Sequence, residues 1–284
     1  MVNDERVRSV SRRLRDLVEP IAANVYFAKE AQEAYGELGL AYIPGYFCSR
    51  SACMGPVPGE VVVSAFGVFN PDIVIPAIDE GRTKTDIETL LAARERGATA
   101  SLERILGGVP DDLGRATELL QRAASAATCE GHPLFAGLQS LGFPASSLGG
   151  FWRAADLVRE HRGDSHICAW VSHGVDAVEI TLLTELWWRL PLNSYIRTRG
   201  WTEDHIGTAI GRLRERGLVE GDGFTPAGQD LRSSIEAATD RQERAIVEAI
   251  GDDADELFAR LEPLSKAVVD SGGYPADPSR LTRP

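Results

Sequence analysis

Residues 192–270 follow a fixed order of short helix, turn, helix, tight hairpin and long helices, and that order constrains the fold more than any other feature of the chain. "LNSYIRTRG" reads as a short helix ended by a glycine. In "WTEDHIGTAIGRLRERG", Ile206, Ile210 and Leu213 fall on one inward stripe at helical spacing, and the Thr202 hydroxyl can accept a bond from the first free amides. "LVEGDGFTPAG" gives two very short strand-like pieces around a Gly-Asp-Gly turn, and Pro226 after Thr225 is a good helix start. A long acidic helix over about residues 227–250 follows, then another to about residue 270. This is the plan of a winged helix-turn-helix.

The preceding chain is helical as well. Val7, Val10, Leu14 and Leu17 recur at threes and fours over residues 5–18, and Pro20 is read as opening a second helix that buries Ile21, Val25, Phe27, Ala28 and Ala31. "GEVVVSAFGVFNP" fits a strand or a buried helix. Thr85 to Leu106 reads as one amphipathic helix with Arg94 in its apolar stripe, although Gly97 would also allow two shorter ones. Asp111 or Asp112 caps a helix ending near Ala127, and "SLGFPASSLGG" is a loop. "FWRAADLVREHRG" is a helix closed by Gly163, Asp164 caps the next, and Asp176 caps "AVEITLLTELWWRL". The expected architecture is mainly α: a helical N-terminal domain over residues 1–150, and a C-terminal domain over 151–284 with a degenerate winged helix and long helices. The tail "GGYPADPSRLTRP" reads as mobile.

Of the 284 residues 43% are apolar, enough for a full core. The formal charge of −12 repels phosphate backbones unless a basic patch is segregated. The N-terminus is charged from its first residues, so no signal peptide is expected, and no apolar run is long enough to span a bilayer. A cytoplasmic protein with four reduced cysteines follows from this.

"RLRERGLVE" and "FTPAGQDLRSSI" resemble MarR-type regulators. A wider resemblance lies in "LVEPIAANVYFAKEAQEAYGELGL", "GYFCSRSACMGPVPGEVV" and "EHRGDSHICAW". These look like a family of actinobacterial helix-turn-helix proteins that joins a helical N-terminal half to a MarR-like C-terminal half. That family usually shows Ala-Pro-Leu-Gly where this chain has Ala52-Cys53-Met54-Gly55, alanine at positions 48 and 168, and a bulky aromatic at Gly67. The resemblance implies fold more than function. It also implies a homodimer, because the acidic C-terminal helices resemble MarR dimerisation elements.

The expected recognition helix is a poor reader of DNA. With Ile206, Ile210 and Leu213 buried, its outer face holds Asp204, Thr208, Gly211, Arg212 and Glu215 and is net acidic. Gly207 and Gly211 each weaken it by about 1 kcal/mol relative to alanine. Over residues 197–226 five arginines meet five acids, and the wing carries no arginine. Nucleic acid is therefore not the expected partner.

Two stretches carry candidate chemistry. In "GYFCSRSACMGPVPGE", Cys48 and Cys53 form one loose pair where structural zinc commonly takes two close pairs, so they are packing residues or, beside Arg50, reactive thiols. Arg50 sits among aromatic residues and needs a partner, either an internal carboxylate or the carboxylate or phosphate of a ligand. In "EHRGDSH", His161, Arg162, Asp164 and His166 crowd a helix junction. They serve as caps, as a general acid or base at His166 oriented by Asp164 or Glu160, or as a His-x4-His metal pair that Gly163 would misalign. Tyr46, Phe47, Phe66 and Trp170 belong to core or to a ligand wall, and Asn70 is a polar group in apolar company. Gly67 in place of an aromatic is expected to open space near Arg50.

The expected function is binding of a small, anionic molecule between the two halves, with Arg50 as anchor and Asn70 and His166 orienting it. No metal and no cofactor is expected. The alternatives are a cofactor-free enzyme of specialised metabolism using Arg50 and His166, and a ligand-responsive MarR-type transcriptional regulator.

Overall fold

Asn3 begins the first helix by accepting the Arg6 amide on its side chain at 2.8 Å. That helix, α1 (Asp4–Phe27), runs straight through Pro20, where a second helix was expected to start. Burial of Leu14, Leu17, Val18 and Ile21 along one stripe holds α1 together across the missing amide. The computed structural model describes residues 2–275. Most of the expected mobile tail, residues 276–284, lies outside them; at its start Tyr274 packs edge-on against Phe27, with ring centroids 5.8 Å apart.

The protein is mainly helical. After α1 come α2 (Lys29–Glu37), α3 (Tyr42–Ser51) with a 3₁₀ turn at Ala52–Met54, α4 (Gly59–Phe66) and α5 (Pro71–Lys84). The ambiguous "GEVVVSAF" is thus a helix. Asn70 caps α5, its side chain accepting the Asp72 amide at 2.9 Å. Next are α6 (Ile87–Leu106), α7 (Leu113–Ala126) and α8 (Pro133–Ser140). Gly97 does not break α6; it is where α2 crosses it. A Cβ at Gly97 would lie 2.4 Å from the Ala31 Cα, closer than real contacts allow. Gly97→Ala is expected to lower folding stability by about 1–3 kcal/mol through forced separation of the two helices, measured as a lower urea midpoint at unchanged slope.

Helix α9 (Ser147–Ser172) also differs from expectation. It continues through Gly163, and Asp164 caps no part of it. The Asp164 carboxylate instead accepts the Leu134 and Phe135 amides, both at 3.0 Å, at the start of α8. Then follow α10 (Ala177–Trp187), a 3₁₀ turn (Tyr195–Arg199), α11 (Glu203–Glu215), β1 (Val219–Glu220), β2 (Gly223–Phe224) and α12 (Pro226–Gln242). The antiparallel wing pairs Val219 with Phe224. Asp176 caps α10 in a reciprocal box with Glu179, and Thr202 and Thr225 cap α11 and α12, as the sequence indicates. The expected short helix ahead of α11, the first of the helix-turn-helix, is reduced to the 3₁₀ turn. The buried Glu185 carboxylate holds the chain leading into it by accepting the amides of Asn193 (2.8 Å), Ser194 (3.0 Å) and Ile196 (2.8 Å). The expected long helix breaks at Glu243 into α12 and α13 (Arg244–Ile250), and α14 (Ala254–Asp270) ends the fold.

Two apolar cores result, and they do not divide at residue 150. The larger joins α1–α8 and the first half of α9 to Ile246, Val247, Leu257, Leu261 and Val268 of the last two helices. The smaller joins the end of α9, through Ala169 and Trp170, to α10, α11, the wing and Ile235 of α12. The winged unit is an excursion from a helical bundle that α13 and α14 complete. The apolar stripe of α14, Leu257, Leu261 and Val268, is buried within its own chain. The units are tied where the α4–α5 loop meets the 3₁₀ turn: the Asn70 amide donates to the Arg199 carbonyl (2.9 Å), Asn70 Nδ2 to the Gly200 carbonyl (2.8 Å), and Trp201 Nε1 to the Val68 carbonyl (2.9 Å). Among the described residues no single helix is long and apolar enough to cross a membrane.

Candidate anion site between the bundle and the winged unit

One face of α9 presents Arg159, Arg162 and His166, spaced at helical intervals. Beside them Glu160, buried within the bundle, is the hub of the first half of the site. Its carboxylate accepts Arg50 Nε at 2.9 Å and Arg50 Nη2 at 2.8 Å in a two-pronged pair, Arg159 Nη1 at 2.8 Å, and the Tyr26 hydroxyl at 3.2 Å. Burial would raise the pKa of Glu160, but the Arg50 and Arg159 charges outweigh it and hold the pKa at about 2. Arg50 also donates to the Tyr46 hydroxyl and lies 4.4 Å over the Phe66 ring. Arg50 is therefore saturated by the protein itself, and its expected role as the anchor of a guest anion is corrected. Its burial among aromatic rings was legible; its partner, 110 residues away, was not.

Among the described residues the unpaired cation of the seam is Arg199. Its guanidinium is held between two aromatic faces, 4.6 Å from the Phe69 centroid and 4.3 Å from that of Tyr195. No described carboxylate pairs with it, and its Nε is buried with no acceptor. Burial pulls its pKa down to about 10, with repulsion from Arg50 and Arg159 adding to the effect. It remains charged at neutral pH, so it is a half-buried cation without a counter-charge among the described residues. Tyr42 and Tyr46, with Val25, Tyr26, Gln32 and Tyr35, line a small void of about 10 Å³.

The second half of the site continues along α9 towards α12. Arg162 pairs with Asp240 at 2.8 Å and Glu236 at 3.5 Å, Arg12 with Asp240 at 2.8 Å, and Arg232 with Glu236 at 2.6 Å. Arg15 reaches Glu236 at 3.8 Å. His166 faces this group, with Nδ1 3.1 Å from Thr239 Oγ1. Burial, then the Arg232 and Arg162 charges, push its pKa down to about 4. It is neutral at physiological pH and ill-suited to acid–base work there. Because its folded pKa lies below the ordinary value near 6.5, the unfolded chain binds the extra proton first as pH falls. Stability is full above about 6.5 and declines as pH drops towards 4. His166→Gln is expected to flatten the decline within that window, read from unfolding midpoints at stepped pH.

The matching family model is that of a helix-turn-helix family, and it covers residues 11–275. The chain belongs to this helix-turn-helix family. The match takes in bundle, winged unit and the seam between them, so all three are parts of what the family describes. No curated protein and no solved structure matches the chain.

Four of the five arginines over residues 197–216 are engaged. Arg212 pairs with Asp176 and, at 3.0 Å, with Glu179; Arg216 pairs with Glu179 at 3.0 Å. Arg197 pairs with Glu203 at 2.9 Å, and Arg214 donates to the Gly221 carbonyl at 2.9 Å with Asp222 nearby. Arg199 points into the seam.

The other expected site residues are placed as follows. His161 is buried, stacked on His132 with centroids 4.1 Å apart, and bonded to Glu243 at 2.9 Å. Burial pushes Asp164 up to about 8 against its two amide bonds, and capping α8 keeps it away from the seam. Cys48 and Cys53 are buried, and burial pushes their thiols up to about 11 and about 12, the reverse of a reactive thiol. Gly67 opens no space: its φ is +69°, and a Cβ there would meet Ile167 at 3.0 Å and Trp170 at 3.2 Å. Tyr46, Phe47, Phe66 and Phe69 form one aromatic cluster against Arg50 and Arg199. Asn70 caps and clamps. Among the described residues no group of His, Cys, Asp or Glu is arranged to hold a metal. Sequence reasoning missed Arg159 and Arg199, and it placed Glu160 only as a group that could orient His166. The signal for Glu160 was an acid beside two arginines in "VREHRG"; Arg199 carried none, since in "RTRG" it reads as one more surface charge of a winged helix.

Proposed function

We propose that the protein binds a small molecule bearing a carboxylate or phosphate in the seam between bundle and winged unit, with Arg199 as the anchoring cation, and that the winged helix is a scaffold with its DNA-reading role lost. The carrying observation is the Arg199 guanidinium, clamped between Phe69 and Tyr195 with no carboxylate paired to it among the described residues. Such a cation is costly unless a counter-charge arrives. The engaged arginines of the winged unit support the loss of DNA reading, since phosphate contacts supply most non-specific affinity. Acid–base catalysis by His166 and Asp164 finds little support, as one is neutral and the other is a helix cap. A ligand-responsive regulator is favoured by one observation: the Asn70 and Trp201 bonds tie the anchor's own turn to the bundle, so an occupant would bear on how the winged unit sits. Salt-dependent binding to genomic fragments would favour that second reading.

Native mass spectrometry of the protein purified from its cytoplasmic extract tests the first reading. The wild type is expected to retain an acidic small molecule that Arg199→Leu lacks. Equal retention by both proteins would remove Arg199 as the anchor.

A further inference from the structure

A separate cavity of about 390 Å³ opens between the turn after α3, helix α5 and the start of α6. Its volume lies in the range of small-molecule sites. At roughly 30 Å³ per water-sized group it has room for about a dozen heavy atoms. Cys48, Ile78 and Leu90 make a buried apolar floor, and Val57 and Ile87 are half-buried walls. The Cys48 sulfur is neutral here and lies where a Cβ at Gly81 would come within 2.2 Å, so floor and helix are fitted to each other.

The mouth carries one charge of each sign. Arg82 and Asp86 both line it and both are exposed, yet they do not pair with each other, and Arg82 is joined to no other carboxylate among the described residues. One Asp86 oxygen accepts the Thr89 amide at 2.8 Å as the cap of α6, and the carboxylate is paired with no cation among the described residues. An apolar pit with a separated cation and anion at its lip matches a molecule with an apolar body and both charges at one end.

We propose that this cavity binds a hydrophobic zwitterionic amino acid, its carboxylate on Arg82, its ammonium on Asp86 and its side chain against Cys48, Ile78 and Leu90. The site is independent of the seam at Arg199. Calorimetric or NMR titration of the full chain with L-phenylalanine, 3-phenylpropionate and phenethylamine tests it. L-Phenylalanine is expected to bind saturably and more tightly than either analogue. Arg82→Gln should weaken L-phenylalanine and 3-phenylpropionate about fivefold, as suits an exposed charge pair, and leave phenethylamine unchanged. Asp86→Asn retains the cap and should weaken L-phenylalanine and phenethylamine while sparing 3-phenylpropionate. Val57→Trp should abolish all three; the two mouth substitutions carry the test if that variant does not fold. Arg199→Leu should change none of them. No saturable binding of L-phenylalanine, or indifference to either mouth substitution, overturns the proposal.

Discussion

Replacing Glu160 with alanine is expected to destabilise the protein by about 3–5 kcal/mol, the range for breaking a buried ion pair from one side. The carboxylate is buried and receives two bonds from Arg50 and one from Arg159. Removing it leaves two guanidinium groups beside each other and beside Arg94, which already lies over the Tyr26 ring. Nothing else within the cluster takes over: Glu19 serves Arg159 at 2.9 Å, and Asp156 serves Arg94 at 3.0 Å. The loss should show as a lower urea midpoint and a melting temperature lower by roughly 2–4 °C per kcal/mol. The paired change Glu160→Leu with Arg50→Met should recover part of it, since a buried ion pair is often no more stabilising than apolar groups of similar volume. A loss below about 1 kcal/mol for the alanine variant would mean that the carboxylate is not the hub.

Arg199→Leu is expected to act in the opposite direction on stability while removing the anion. The substitution takes out a half-buried charge that lacks a partner and keeps an apolar stem between Phe69 and Tyr195. Stability should rise by about 1–2 kcal/mol, the trade commonly met when a binding group is removed. A structural arginine would give the reverse sign. Stability and ligand retention measured on the same sample therefore separate the two roles: gain with loss of ligand supports the anchor, and loss of stability without change in ligand sinks it.

What was legible in the sequence was local. Thr202, Thr225 with Pro226, Asp176 and the Gly-Asp-Gly turn each satisfy amides or bend the chain within a few residues, and each stands where the text places it. Pro20 misled because a buried stripe holds α1 together across the missing amide, and Gly163 because a lone glycine costs a long packed helix only about 1 kcal/mol. The candidate site was half legible. An arginine amid aromatic residues had to be paired, and Arg50 is; but the choice between an internal and an external partner turned on Glu160, which no short-range pattern joins to it. The unpaired cation at Arg199 arises from the docking of the 3₁₀ turn onto Phe69, a meeting of distant segments.

The seam along α9 gathers Arg12, Arg15, Arg50, Arg159, Arg162, Arg199 and Arg232 against Asp16, Glu19, Glu160, Glu236 and Asp240, seven positive charges to five negative. The whole chain carries −12. An approaching anion therefore meets a repulsive field at long range and an attractive one only within reach of the seam. Added salt screens the first more than the second, because the Debye length falls to about 8 Å at physiological ionic strength. For the anion of the proposed function, encounter should accordingly quicken with ionic strength, the reverse of ordinary electrostatic steering.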